Sequence, residues 1–119
     1  MSYREDWFNA NKPILFGKYF CMHCGKLYSK NEIEIDHRIP KRDGGTDDLW
    51  NLQPLCRHCN RSKRDRQSIW ETLVTLLLAT LHGDLFIALK SIAKRKAEDA
   101  LGIHYTRAEL EELDQEVEE

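Results

Sequence analysis

The chain has 119 residues, the length of one ordinary domain and short for two. Its apolar fraction of 41% and charged fraction of 32% provide for a small core and exclude a collagenous or wholly disordered protein. No run of 18 apolar residues occurs, so no membrane-spanning helix is expected. Residues 1–6 lack the basic start and apolar stretch of a secretory signal, so we expect a cytoplasmic protein.

The formal net charge of −2 conceals an uneven distribution of charge along the chain. Residues 109–119 contain seven acids and no base, and the chain without them has 18 bases against 13 acids. The segment 12–66 alone carries 12 bases and 7 acids. A basic body with an acidic end is compatible with a polyanionic partner and does not by itself prove one.

Cysteine occurs in two Cys-x-x-Cys pairs, Cys21 with Cys24 and Cys56 with Cys59. Disulfide bonds are not favoured, because no export signal is evident. Two such pairs separated by 31 residues are typical of a tetrahedral Zn²⁺ site with four thiolate ligands. A full ligand set indicates a structural ion, and the alternatives are free thiols or a redox pair.

The residues between the cysteine pairs predict a strand, a loop, a second strand and a helix. Ile33 and Ile35 alternate with acidic residues, which is the pattern of a half-buried strand. The polar segment 41–48 contains a Gly-Gly pair and predicts a loop. Residues 49–55 then predict a short return strand, and helix-forming residues follow from Cys56 onward.

Motif residues follow one another along this segment in the order Asp36-His37, Gly44-Gly45, Asn51-Leu52, Cys56-x-x-Cys59-Asn60 and Lys63. This order resembles the HNH endonucleases, the ββα-metal nucleases, over roughly residues 21–64. His37 matches the family's first histidine and Asn51 its middle asparagine. Asn60 stands where many members have a histidine, as in the HNN variant. The resemblance implies an α+β fold: a small ββα-metal domain stapled by a four-cysteine zinc site and followed by C-terminal helices.

The resemblance implies metal-dependent hydrolysis of DNA phosphodiester bonds. Asp36 and Asn60 would hold a catalytic divalent ion, and their oxygen ligands favour Mg²⁺ or Mn²⁺. His37 would act as general base on water. Asn51 would bond the backbone across the loop and fix the histidine. Adjacent strand residues point to opposite faces, so we expect irregular backbone where both Asp36 and His37 line the site.

Basic residues crowd the short helix after the second cysteine pair, and we expect DNA contacts from Arg38, Arg57, Arg61, Lys63 and Arg64. The alternative for this helix is a solvated basic face. The alternative for the whole chain is a catalytically inactive, zinc-organised module that binds DNA or serves as an adaptor. RNA is a third possible substrate.

His23 and His58 lie inside the cysteine pairs. Since four thiolates complete the zinc ligand set, we expect both imidazoles to face solvent or DNA.

The organisation along the chain is an aromatic-rich flank over 1–20, a nuclease core over 21–67, and a helical extension over 68–119 with an acidic end. We interpret the aromatic residues of the flank as packing against the zinc module. In the extension we predict one helix from Ser68 to Leu81 and a second from Leu85 to about Leu101. We also predict an acidic helix over 107–117.

An apolar stripe runs along the first of these helices, formed by Trp70, Leu73, Leu77 and Leu81. Two interpretations remain open. Leu76, Leu77 and Leu78 form the core between two antiparallel helices, or the helices of 68–101 form the seam of a homodimer.

Overall fold

The computed structural model describes residues 2–63, 69–103, 108–109 and 112–113. Its helices and strands are α1 (Tyr3–Ala10), β1 (Tyr19–Phe20), β2 (Leu27–Tyr28), β3 (Ile33–His37), β4 (Leu52–Cys56), α2 (Arg57–Lys63), α3 (Ile69–Leu81) and α4 (Leu85–Ala100). Short 3-10 turns occur at Lys30–Glu32, Lys41–Asp43 and Leu49–Asn51. The predicted α+β class is confirmed, whereas the helix α1 had no counterpart in the sequence prediction.

The antiparallel pair β3 and β4 forms the centre of the domain. Its register runs from Ile33 opposite Cys56 to His37 opposite Leu52. The two isoleucines of β3 are buried with aromatic residues of the flank, in a cluster formed by Trp7, Phe8, Tyr19, Ile33, Ile35 and Leu52. The flank therefore packs on the strand pair, and α1 covers the apolar face of that pair.

Glu34 of β3 faces α2 instead. Glu34 alternates with the two buried isoleucines and bonds to the side chains of Asn60 and Arg61 on that helix. The strand pair therefore separates an aromatic core on one side from a polar layer under α2 on the other.

The small pair β1 and β2 carries the first cysteine pair in the turn between its strands. The backbone N–H of Met22 donates to the carbonyl of Pro54 in β4 over 2.9 Å, which fixes this turn against the central strands. Tyr28 packs against both the aromatic cluster and the buried cysteines.

Helices α3 and α4 pack on the loop that joins β3 to β4. Ile39 of the loop is buried with Ala79 of α3 and Ala88 of α4. A separate contact is made by Asp43, whose carboxylate accepts hydrogen bonds from Ser91 and Lys94, each over 2.8 Å. The helical extension is thus attached to the loop by an apolar and a polar contact.

Helix α3 buries small and polar side chains and exposes its leucines. Glu71, Thr75 and Ala79 are at most 1% exposed. The residues of the predicted stripe are exposed: Trp70 by 65%, Leu73 by 55%, Leu77 by 61% and Leu81 by 70%. Of the three leucines 76–78, Leu76 packs against the cluster of Ile39, Ala79 and Ala88, as the core interpretation expects, whereas Leu77 is exposed.

Among the described residues, no helix combines the length and apolar character needed to cross a bilayer. The acidic helix predicted over 107–117 falls mostly outside the described residues.

Candidate active site and metal centre

The four cysteines converge at one point, as predicted. The Sγ atoms of Cys21, Cys24, Cys56 and Cys59 all lie within 4.8 Å of one another. Sulfur ligands of a tetrahedral Zn²⁺, each at about 2.3 Å from the ion, lie about 3.8 Å apart, so the cluster fits this ion. It joins the β1–β2 turn to the junction of β4 and α2, and a bound ion would fasten these elements together.

Three of the four sulfur atoms take part in hydrogen bonds. The backbone N–H of Cys24 donates to Cys21 Sγ, and that of Cys59 donates to Cys56 Sγ, each over 3.4 Å. The hydroxyl of Tyr28 lies 3.8 Å from Cys24 Sγ. Burial acts to raise the pKa of Cys24, but hydrogen bonds from the Lys26 backbone and from Tyr28 help to lower it to about 7. Burial and the neighbouring thiols raise the pKa of Cys59, so a cation is needed to hold Cys59 as a thiolate.

The two histidines inside the cysteine pairs differ in environment. His58 is exposed, as expected. His23 pairs through Nδ1 with the carboxylate of Glu71, which is fully buried on α3. This contact ties the first cysteine pair to the helical extension, so His23 is not simply turned toward solvent or DNA.

Asn51 holds the loop between β3 and β4 closed. It is fully buried, and its Oδ1 accepts from the backbone N–H of Ile39 over 2.8 Å. Its Nδ2 donates to the carbonyls of Ile39 and Thr46 over 3.0 and 2.8 Å. Gly45 allows this close packing, because a Cβ there would lie 1.8 Å from the carbonyl oxygen of Ile39. The backbone bonding that the family resemblance implies for Asn51 is present.

Asp36 and His37 occupy the last two positions of β3. The register stays regular through both residues, with Asp36 opposite Gln53 and His37 opposite Leu52. Asp36 therefore lies on the face of Glu34, and His37 lies on the opposite face, where its ring contacts that of Tyr3 with 4.6 Å between centroids. The expected irregular backbone is not present, because pairing with β4 extends to the end of the strand.

The side chain of His37 contacts Asp47, an acid in the loop between β3 and β4 that the sequence analysis did not identify. Its Nε2 lies 2.8 Å from Asp47 Oδ1, and Lys41 Nζ lies 3.1 Å from Asp47 Oδ2. Partial burial acts to raise the pKa of Asp47, but the hydrogen bonds from His37 and Lys41 outweigh it and the pKa is lowered. Asp47 is therefore a carboxylate that can accept a hydrogen bond from the Nε2–H group of His37.

Asp36 is supported by a buried pair of side chains. Gln53 is fully buried and donates from Nε2 to Asp36 Oδ2 over 3.3 Å, while its Oε1 accepts from Arg38 Nη1 over 3.2 Å. Arg38 also donates from Nε to the carbonyl of Trp50 over 3.1 Å. Burial lowers the pKa of Arg38, and the negative charges of Glu71 and Asp36 oppose that effect.

Arg38 is thus an internal residue, only 7% exposed. The predicted contact between Arg38 and DNA does not agree with this position. Its guanidinium is used within the fold, where it supports Gln53 and through it Asp36.

Asn60 lies on α2, directly over β3. Its Nδ2 donates to Glu34 Oε1 over 2.7 Å. Arg57 and Arg61 approach Glu34 Oε2 at 3.6 and 3.4 Å, and their side chains remain 58 and 57% exposed. Asn60 is therefore anchored to the strand face that carries Asp36, beside two arginines that reach solvent. Lys63 ends α2, and Arg64 lies outside the described residues.

Comparison with known families agrees with this geometry. Residues 21–66 match the family model of the HNH endonucleases. This segment is an HNH domain. The match begins at the first zinc-pair cysteine and contains Asp36, His37, Asn51 and Asn60. Neither the comparison with curated proteins nor that with solved structures returned a match. The HNH domain indicates a nuclease-type function, and nucleases of this family act on DNA.

Three residues around the HNH site were missed by the sequence analysis: Asp47, Gln53 and Glu71. Asp47 is one of several acids in a polar loop, and Gln53 interrupts a strand, so neither carries a distinctive signal. Glu71 does carry one, since it is an acid among the apolar residues of α3. An acid in that position must find a buried partner or turn to solvent.

Proposed function

We propose that the HNH domain makes this chain a metal-dependent endonuclease that hydrolyses DNA phosphodiester bonds. The observation that carries the proposal is the hydrogen bond of Asn60 to Glu34, on the strand face that also carries Asp36, whereas His37 follows Asp36 along the strand and lies on the opposite face. Asp36 and Asn60 would hold Mg²⁺ or Mn²⁺ through one carboxylate and one amide oxygen. When bound, such an ion supplies charge stabilisation at the phosphate and at the leaving oxygen.

His37 is the proposed general base. Its Nε2 faces Asp47, so a proton on Nε2 leaves the lone pair of Nδ1 to accept a proton from water. Asp47 fixes this tautomer, and Lys41 fixes Asp47 in turn. A general base of this kind typically contributes about 10²- to 10⁴-fold in rate.

Arg57 and Arg61 are the proposed phosphate contacts. Both project from α2 beside Asn60 and are more than half exposed, although each also pairs with Glu34. Such exposed pairs contribute little to stability and can be exchanged for phosphate at low cost. Lys63 and Arg64 follow them along the chain and remain proposed contacts, whereas Arg38 does not.

The exposed apolar face of α3 supports the homodimer as a further proposal. Trp70, Leu73, Leu77 and Leu81 share this face, and each is more than half exposed. Contiguous exposed apolar surface of this kind is typical of an interface between proteins. A dimer would bring two HNH sites to one duplex, which suits cleavage of both strands.

A supercoiled-plasmid assay tests the proposed function. Purified zinc-loaded protein is incubated with plasmid in Mg²⁺ or Mn²⁺, beside His37→Ala and Asp36→Ala variants of equal thermal stability. We expect nicked or linear DNA from the wild type alone. Absence of cleavage by the wild type with each metal would favour the inactive DNA-binding or adaptor module, and the same assay with RNA tests the third possibility.

A further inference from the structure

The imidazole of His37 is in contact with a tyrosine from outside the HNH segment. Tyr3 is the first residue of α1, and its ring packs edge-on against that of His37, with 4.6 Å between the centroids and 62° between the ring planes. The side chain of His37 is only 14% exposed. Tyr3 therefore adds to the proposed general base a contact that the family match over residues 21–66 does not include.

The start of α1 is fixed to the strand that ends at His37. The guanidinium of Arg4 donates to the carbonyl of Ile33, the first residue of β3, over 2.6 Å. Tyr3 packs against the buried aromatic cluster, which contains Trp7 one turn further along the helix. The position of the tyrosine ring is thus set by the core of the domain.

Asp47, by comparison, constrains a single atom of the imidazole. Its Oδ1 lies 2.8 Å from Nε2 of His37, and its side chain is 48% exposed. Rotation of a histidine ring about its Cβ–Cγ bond has only broad preferences, so one contact at Nε2 leaves the direction of Nδ1 loosely defined. Packing of the Tyr3 ring against the imidazole restricts this rotation.

We propose that Tyr3 is a positioning residue of the nuclease, whose ring sets the plane of the His37 imidazole so that Nδ1 is directed at the attacking water. The proposal rests on the proposed nuclease function and gives α1 a part in the reaction. Tyr3 acts through His37 and touches no reacting atom. Its removal should therefore lower the rate of the chemical step and leave the affinities for DNA and for Mg²⁺ unchanged.

Single-turnover cleavage of supercoiled plasmid tests this role, with zinc-loaded protein in excess and Mg²⁺ at saturation. Tyr3→Leu keeps an apolar side chain against the aromatic cluster and removes the ring. We expect its maximal rate constant to fall by about 10²-fold, the scale for a misplaced catalytic group. The half-saturating concentrations of protein and of Mg²⁺ should stay at their wild-type values. Tyr3→Phe keeps the ring and should keep the wild-type rate constant.

Phe8→Leu is the matched control, because it makes the same kind of change in the same helix, at a ring that contacts Trp7 and Tyr19. Since Phe8 is the more buried of the two, the control should lower the melting temperature at least as much as Tyr3→Leu and leave the rate constant unchanged. Proton NMR without DNA reports the ring contact itself. The ring current of Tyr3 should displace the signals of the His37 ring in the wild type and in Tyr3→Phe, and this displacement should be lost in Tyr3→Leu.

The outcomes separate this role from the nuclease function. A wild-type rate constant in Tyr3→Leu would overturn the positioning role and leave the nuclease proposal intact. Equal losses of rate in Tyr3→Leu and Phe8→Leu would also overturn it, because docking of α1 would then account for the effect. A loss in Tyr3→Phe as large as that in Tyr3→Leu would transfer the role from the ring to the hydroxyl. Absence of cleavage by the wild type would overturn both proposals.

Discussion

Asn60 and Glu34 are joined by a 2.7 Å hydrogen bond that fixes the orientation of a proposed metal ligand. The amide nitrogen of Asn60 is directed at the carboxylate, so its amide oxygen points away from Glu34. Arg57 and Arg61 approach the other carboxylate oxygen and neutralise its charge. Glu34 therefore links the strand that bears Asp36 to the helix that bears Asn60.

This link predicts a metal-dependent defect when Glu34 is shortened. In Glu34→Ala we expect cleavage to require a higher Mg²⁺ concentration, by roughly 10- to 100-fold, as found when residues that orient metal ligands are removed. Glu34→Gln keeps an oxygen acceptor for Asn60 and should show a smaller shift. Plasmid cleavage titrated with Mg²⁺ measures both.

The control for Glu34 is Glu5→Ala, which removes an exposed acid from α1. It should leave the Mg²⁺ titration unchanged. A Glu34→Ala variant with the wild-type titration would show that Asn60 does not depend on this contact.

Local patterns predicted the parts of the HNH domain that depend on short stretches of sequence. The spacing of the cysteine pairs predicted the cluster at Cys21 and Cys59, and the alternation around Ile35 predicted β3. Both follow from chemistry repeated over a few residues, namely thiolate preference for Zn²⁺ and the two-residue period of a strand.

The contacts that hold the domain to its flanks were not predictable in the same way. His23 meets Glu71 across 48 positions, and Asp43 meets Ser91 across another 48. Such pairs depend on how a helix docks, which a linear pattern does not encode. The stripe at Leu77 had the spacing of a buried face and is exposed, because α3 turns its small residues inward.

We expect substitution of Asn51 to lower the stability of the domain strongly. Asn51→Ala would leave the N–H and the carbonyl of Ile39 and the carbonyl of Thr46 without the bonds they now make. We expect a loss of about 3 kcal/mol in the free energy of unfolding, since each unsatisfied buried group costs roughly 1–3 kcal/mol. Urea denaturation of the zinc-loaded protein measures the change.

Asn9→Ala provides the comparison for Asn51, because Asn9 is an exposed residue of α1. We expect its stability to lie within about 0.5 kcal/mol of the wild type. Equal effects at the two positions would contradict the role assigned to Asn51 in closing the loop.

The cysteine cluster predicts one tightly bound zinc ion per chain. Cys59→Ser should abolish stoichiometric zinc and lower the melting temperature sharply, because binding of structural zinc contributes roughly 10–16 kcal/mol to comparable small domains. Metal analysis and circular dichroism measure the two effects. His58→Ala, which changes an exposed neighbour in the same helix, should keep its zinc. Loss of zinc from that variant would place an imidazole in the ligand set.

Asp43 predicts a stability difference that depends on pH. Its folded pKa is lowered, so its contribution is complete above the unfolded pKa of about 3.9 and is lost as pH falls through the folded value. At neutral pH we expect Asp43→Asn to be less stable than the wild type by about 1.5 kcal/mol, the order of a charged hydrogen bond.

Denaturation of both proteins from pH 7 down to about pH 3 tests this sign, since the range spans the unfolded pKa of Asp43. The difference between them should shrink in acid, and effects common to both, such as proton competition for zinc, cancel in that difference. A gap that stays constant over the whole range would mean that Asp43 acts through shape and not through charge.

The exposed face of α3 predicts a change of oligomeric state on charge insertion. Leu77 is 61% exposed in the single chain, and burying a leucine side chain contributes about 1.5–3 kcal/mol. If two copies meet through this face, Leu77→Glu places two buried charges in the interface and should convert the dimer to a monomer. Size-exclusion chromatography with light-scattering detection measures the molar mass of the oligomer. Ile14→Glu alters an apolar residue of similar exposure, 65%, in the segment before β1 and should remain dimeric. A wild type that is monomeric at all concentrations would refute the homodimer and require another partner for this face.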